Sequence, residues 1–129
     1  MLALAEPKPT DTLLDIATGG GHVARVIGPH AGRVIASDLT PEMLDHAIPY
    51  LEAQGVTAER LVADAQDLPL DDASVDIVTC RIAPHHFPDP AAFVAEVARV
   101  LRPGGRFLLV DSTVPAGAVG AFFNRYETV

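Results

Sequence analysis

Five short apolar runs recur along the chain, at 12–17 (TLLDIA), 33–38 (RVIASD), 59–64 (ERLVAD), 75–80 (VDIVTC) and 106–111 (RFLLVD). Four of them have a near-continuous apolar centre, the pattern of strands covered on both faces. Between them the spacing turns helical. GHVARVIG predicts a short helix closing on Gly28 and Pro29. TPEMLDHAIPYLEAQG predicts a longer one, with Thr40 as N-cap, Pro41 in the first turn, a kink at Pro49 and a stop at Gly55. DPAAFVAEVARVLRPGG repeats that grammar: Asp89 caps, Pro90 opens, and Phe93, Val94, Val97, Val100 and Leu101 form one face before Pro103, Gly104 and Gly105 end it. Such alternation predicts successive βαβ units and a parallel sheet. The chain shows no internal repeat and no low-complexity segment.

Acidic residues sit where these runs end. Asp38, Asp64 and Asp111 each close a predicted strand, and Asp15 stands near the end of the first. Open α/β sheets bind ligands outside the carboxyl ends of their strands, so these carboxylates converge on the edge where a site is expected. Asp76 begins the fourth strand and is placed at the opposite edge in a structural role. Asp71 and Asp72 read as a solvated turn, and Cys80 as a small buried hydrophobe.

Bulk properties narrow the function class. The chain has 129 residues, enough for a single domain over 1–129 with a real core, at the usual 100–200 or so residues per domain. Its 49% hydrophobic content and mean hydropathy of +0.26 exclude disorder as a description of the whole. No run reaches the roughly 18 apolar residues of a membrane span, and no basic leader precedes Glu6 and Pro7, so a cytoplasmic location is expected. A formal net charge of −8 with scattered basic residues argues against a nucleic-acid partner. One cysteine permits neither an intrachain disulfide nor a cysteine zinc cage.

The stretch LLDIATGGGHVA at 13–24 carries the candidate chemistry. Consecutive glycines at 19–21 after a buried strand allow a tight turn and close approach of backbone to a ligand, and the following helix start favours an anion. Gly19-x-Gly21-x-x-Ala24, with Asp38 a little under 20 residues on, also fits a loose dinucleotide pattern. An acid after the second strand suits the ribose of any adenosine. Two features favour S-adenosylmethionine (SAM): Asp15 lies inside the motif, close to where an ammonium group belongs, and ADAQDL after the third strand supplies acids where a purine amino group can be met.

The blocks LLDIATGGGHVA, VIASDLTPEML, VADAQDLPLDDASVDIVTCRIAPHHFPDP and VARVLRPGGRFLLVD, in this order from about Thr12 to Asp111, together resemble the class I SAM-dependent methyltransferases, and within them the ubiquinone/menaquinone-biosynthesis type. The resemblance implies a Rossmann-like, doubly wound α/β fold with five parallel strands in the order 3-2-1-4-5, lacking the C-terminal hairpin of the full fold. It implies that Asp15, Ala17, Gly19 and Gly21 hold the methionine moiety, Asp15 facing the ammonium group. Asp38 takes the ribose hydroxyls, Leu39 lies against the adenine, Asp64 accepts from its exocyclic amine and Ala65 offers a backbone NH. Arg81 stands where the family often has Asn or a small polar residue lining the methionine end; a long cation there is repelled by the sulfonium unless it turns outward or pairs with a carboxylate. Ala17 replaces the first glycine of the usual motif, as it does in the quinone-pathway type.

Methyl transfer asks a protein to align the acceptor, exclude water and, where needed, remove a proton. His85 and His86, after the fourth strand, are the candidate bases, against a bracing role for the same pair; two histidines give too few ligands for a metal. Asp111 either caps its loop or meets the substrate. The expected activity is methyl transfer from SAM, with S-adenosylhomocysteine (SAH) as product, to a small-molecule acceptor such as a quinone precursor or related aromatic. The alternatives are a SAM-binding module without turnover and a nicotinamide-dependent oxidoreductase. The chain ends soon after the fifth strand, so it is expected either to be a fragment or to have its open sheet edge covered by a second copy, with AFF at 121–123 as a candidate contact.

Overall fold

The computed structural model describes residues 5–81 and 88–110, without the side chains of Arg81 and Val110. Five strands, β1 (Thr12–Ile16), β2 (Arg33–Asp38), β3 (Ala58–Val62), β4 (Val75–Arg81) and β5 (Leu101–Val110), form one sheet. Its order is β3-β2-β1-β4-β5 and every pairing is parallel, as expected. Helices α1 (His22–Ile27), α2 (Pro41–Ala53) and α3 (Pro90–Val100) make the connections described.

Side chains alternate across a strand, and here both sides are apolar. Leu14, Ile16, Val78, Cys80, Phe107 and Leu109 join the core packed on Phe93, Val97 and Val100 of α3. Their neighbours Leu13, Ile77 and Leu108 face the other way, into a core shared with Ala24 and Ile27 of α1 and Leu44 and Leu51 of α2. This double burial explains why the strands read as continuous apolar runs. Phe93 and Phe107 meet edge to face, with ring centres 5.8 Å apart.

Helix ends follow the local chemistry closely. Asp89 accepts from Ala92 N at 3.1 Å and caps α3, with Pro90 in its first turn. Thr40 is the N-cap residue of α2, but its side chain makes no capping bond. Instead Asp38 Oδ1 accepts from Thr40 N at 3.0 Å. The helix is continuous through Pro49 and ends on Gly55 at φ 84°, where Val56 N reaches back to Leu51 O and Gly55 N to Glu52 O.

Three boundaries differ from expectation. α3 stops at Val100, because Pro103 has no amide for the ladder and its ring excludes a helical carbonyl four residues earlier. Leu101 is already strand, paired with Val75, and the register then jumps to Ile77↔Arg106, so residues 102–105 form a bulge in β5 rather than a turn before it. β3 ends at Val62, which leaves Asp64 in a turn beyond the strand. Asp76 is structural, as expected: its Oδ2 accepts from Thr12 N at 2.8 Å and from Arg102 at 2.7 Å. Asp72 is not merely solvated, since it pairs with Arg99 at 2.7 Å.

The bulge has two glycines with different duties. Gly104 adopts φ 82° with open space around it, whereas a Cβ on Gly105 would sit 2.8 Å from Arg102 O and 3.0 Å from Asp76 O. Gly105→Ala is therefore expected to destabilise by about 1–3 kcal/mol through overpacking, and Gly104→Ala by about 1 kcal/mol through backbone strain. Urea titrations of the two variants check the order; a costlier Gly104→Ala contradicts it.

Candidate functional site

The site is built at the carboxyl edge of the sheet, where strand order reverses between β1 and β4. Asp15 lies at this switch point, in register with Ala36 on one side and Thr79 on the other. Its side chain is 2% exposed. Oδ1 accepts from Thr79 Oγ1 at 2.8 Å and Oδ2 from Thr18 Oγ1 at 2.5 Å. Burial pushes its pKa up to about 6; the two hydroxyl bonds pull it down, and the charge of Asp38 adds a smaller upward push.

The loop after β1 is stitched to the end of β2. Thr18 N donates to Ser37 O at 2.9 Å, and Ser37 Oγ donates to Asp15 O at 3.2 Å. Gly19 N donates to Asp38 Oδ2 at 3.2 Å. Positive φ falls on Ala17 (54°), Gly19 (55°) and Gly21 (84°). Ala17 therefore holds a left-handed conformation that costs a residue with a Cβ about 1–2 kcal/mol. A Cβ at Gly21 would meet Leu51 Cγ at 3.3 Å, so this glycine lets α1 seat against α2.

Two cavities open here and share Ala17. The larger, about 370 Å³, is lined by Asp38, Leu39, Asp64, Ala65, Gln66 and Pro88 among others. The smaller, about 170 Å³, is lined by Asp15, Thr18, Gly19, Gly20, His22 and Val23 besides Ala17. The structure thus brings together Asp15, Ala17, Gly19, Asp38, Leu39, Asp64 and Ala65 on one cleft; Gly21 lines neither cavity. Leu39 is 68% exposed, an apolar side chain left uncovered on the cleft wall. His85, His86, Asp111 and 121–123 lie outside the described residues, as does the side chain of Arg81.

Four contributors escaped the sequence reading. Thr18 and Thr79 hold the Asp15 carboxylate; a hydroxyl three residues after the acid was the available signal for the first, and only strand register reveals the second. His22 lines the smaller cavity and packs edge-on to Tyr50, with ring centres 6.1 Å apart. Gln66 lines the larger cavity and bonds both Asp64 and Asp89.

The wall formed by the loop after β3 is held from behind by α3. Arg99 donates to Leu68 O at 2.9 Å and Leu70 O at 2.8 Å, and Glu96 accepts from Leu68 N at 2.7 Å. The Arg99 guanidinium beside Glu96 holds that carboxyl below its ordinary pKa. Among the described residues no group of three or more metal-ligating side chains occurs, and no helix is long and apolar enough to cross a membrane.

A family model for the methyltransferase domain matches residues 14–109, which takes in the chain from within β1 to nearly the end of β5 and every described cleft residue. The chain belongs to the methyltransferase-domain family. It is 42% identical over 120 residues to the uncharacterized methyltransferase YcgJ of Bacillus subtilis, covering 92% of this chain and 47% of that one. The crystal structure of YcgJ superposes with a TM-score of 0.83 at 40% identity, over 97% of this chain and 54% of that one. A demethylmenaquinone methyltransferase of Deinococcus radiodurans is 40% identical over 117 residues, covering 88% of this chain and 48% of the relative. A SAM-dependent methyltransferase from Aquifex aeolicus superposes with a TM-score of 0.76 at 26% identity, over 84% of this chain and 60% of that one. The chain spans about half the length of the curated relatives it matches. The family implied by the four sequence blocks, and its five-stranded sheet order, are thereby established.

Burying Asp15 has a measurable cost. Its folded pKa of about 6 lies above the ordinary 3.8, so the folded state holds a proton that the unfolded state has released between these values. The contribution of this group to stability is greatest below pH 3.8 and is lost as pH rises through 6, a difference on the order of 3 kcal/mol. Asp15→Asn, with amide and hydroxyls able to reorient, is expected to gain stability relative to wild type as pH rises from 4 to 6.5. Parallel urea titrations measure that gain; a constant difference across the range overturns it.

Proposed function

We propose that the chain is the cofactor-binding part of a SAM-dependent methyltransferase acting on a small molecule, with a quinone precursor or related aromatic as the acceptor. One observation carries this reading: three acids at or just beyond the ends of β1, β2 and β3, Asp15, Asp38 and Asp64, line a single cleft whose two cavities meet at Ala17. A larger cavity of about 370 Å³ is of ligand-binding size, within the usual range of roughly 300–1,000 Å³. The demethylmenaquinone methyltransferases among the relatives support the acceptor class.

The donor set fits the three parts of SAM. In the larger cavity Asp64 accepts from the adenine amine, Ala65 offers its NH and Leu39 covers a ring face. Asp38 has one bond on each oxygen, from Gly19 N and Thr40 N, so each retains a lone pair for a ribose hydroxyl. In the smaller cavity Asp15 balances the ammonium group, beside Gly19. When bound, SAM supplies an electrophilic methyl group on a sulfonium that is itself the leaving group. The residues of this chain fix the donor along the cleft and keep the carboxylates where positive charge lies, which is the positioning that an in-line displacement requires. Arg81 ends β4, and the family resemblance assigns it to the methionine side. His85 and His86 serve as the candidate bases for an acceptor that must lose a proton.

Calorimetry with SAM, SAH and NAD tests the reading. SAM and SAH are expected to bind and NAD to fail; tight NAD binding with no response to SAH defeats it, and product formation from an acceptor screen separates an enzyme from a binding module. Asp38→Ala is expected to weaken SAH by about 1–3 kcal/mol, roughly ten- to a hundredfold; unchanged affinity in a folded variant refutes the ribose role. Ionised Asp15 is the form that accepts from an ammonium, so SAH affinity rises with pH by up to about tenfold per unit below pH 6 and levels off above it. Titrations at pH 5, 6 and 7 read this slope, and a flat profile removes Asp15 from the contact.

A further inference from the structure

Gln66 bonds in two directions on the wall of the larger cavity. Its Oε1 accepts from Asp89 N at 2.6 Å, at the entrance to α3, and its Nε2 donates to Asp64 Oδ1 at 3.2 Å. The backbone N of Gln66 donates to the same Oδ1 at 2.9 Å. Both donors therefore converge on one oxygen of Asp64, and among the described residues Oδ2 takes none. Asp64, Gln66 and Pro88 all line the cavity.

A carboxylate free to spin presents either oxygen in any direction, but one held by two donors on Oδ1 presents Oδ2 in a fixed direction as a pure acceptor. A pure acceptor bonds an amino group and opposes a carbonyl oxygen. We propose that Gln66 is a positioning residue that makes the cleft select a 6-amino purine over a 6-oxo purine, by fixing Asp64 with one oxygen occupied and the other left to accept. This rests on the SAM reading, and within it assigns base selectivity to a residue other than the one that meets the base. The loop itself does not depend on Gln66, because Arg99 and Glu96 hold its main chain at Leu68 and Leu70. Substitution at 66 thus removes the side-chain donor and leaves Asp64 Oδ1 held by the backbone N alone, with its wall still standing.

The test compares, by calorimetry, SAH with its deaminated analogue S-inosylhomocysteine, on wild type, Gln66→Glu and Gln66→Met. Gln66→Glu keeps the acceptor for Asp89 N but removes the donor to Asp64; Gln66→Met removes both. Wild type is expected to favour SAH by about tenfold or more, the worth of one bond made against one opposed. Both variants are expected to lose part of that preference, mainly through weaker SAH binding, the remainder being kept by the backbone donor on Asp64 Oδ1 and by the NH of Ala65. Each preparation meets both ligands, so any misfolded fraction lowers the stoichiometry and leaves the ratio intact; a purely structural role for Gln66 leaves the ratio at its wild-type value. An unchanged ratio in either variant, or no preference in wild type that binds SAH, overturns the inference alone. Wild type that binds neither ligand overturns the SAM reading and the inference with it.

Discussion

A carboxylate buried at the centre of a sheet is the constraint around which this structure is arranged. Asp15 sits on the middle strand, where any neighbouring apolar residue would pack more cheaply, and it is retained there by two hydroxyls contributed from different parts of the chain. Removing either hydroxyl leaves a buried acceptor without its partner, a cost of about 1–3 kcal/mol. The bond to Thr79 fixes β1 against β4 in register, and the bond to Thr18 fixes the turn that follows β1. From that turn the chain is led to Asp38 through Gly19, and so to the head of α2 through Thr40. Three strand ends are thus coordinated by acceptors that each hold backbone or hydroxyl donors while keeping capacity for a ligand.

The two apolar layers explain what was readable in the sequence. Leu13-Leu14, Ile77-Val78 and Phe107-Leu108-Leu109 are adjacent residues that go to opposite cores, so their strands show as unbroken apolar runs. Asp89 and Pro90, and Gly55 after α2, mark helix ends by local chemistry that needs no tertiary context. The segment at 101–105 misled because Pro103, Gly104 and Gly105 carry the composition of a turn, and only pairing of Leu101 with Val75 shows that the strand has already begun.

Of the cleft, the acids were legible and their supports were not. Asp15, Asp38 and Asp64 stand at regular places relative to apolar runs. Thr79 faces Asp15 across 64 positions of sequence, and Gln66 reaches Asp89 across 23, distances over which a single sequence carries no pairing signal. Gly21 shows the converse case: it belongs to the glycine run, yet its space is claimed by Leu51 rather than by the cleft.

Arg99 settles how this surface can vary. It grips the loop after β3 chiefly through the carbonyl oxygens of Leu68 and Leu70, groups that every residue possesses, and only one of its loop partners, Asp72, is a side chain. The contour of the cleft wall is consequently inherited from a helix on the far side of the loop. Asp67 and Asp71 are exposed and take no part in this grip, so their charge can change while the hold on the main chain stays the same. Electrostatics and geometry are separable on this wall because the main chain, and not the side chains, bears the hold.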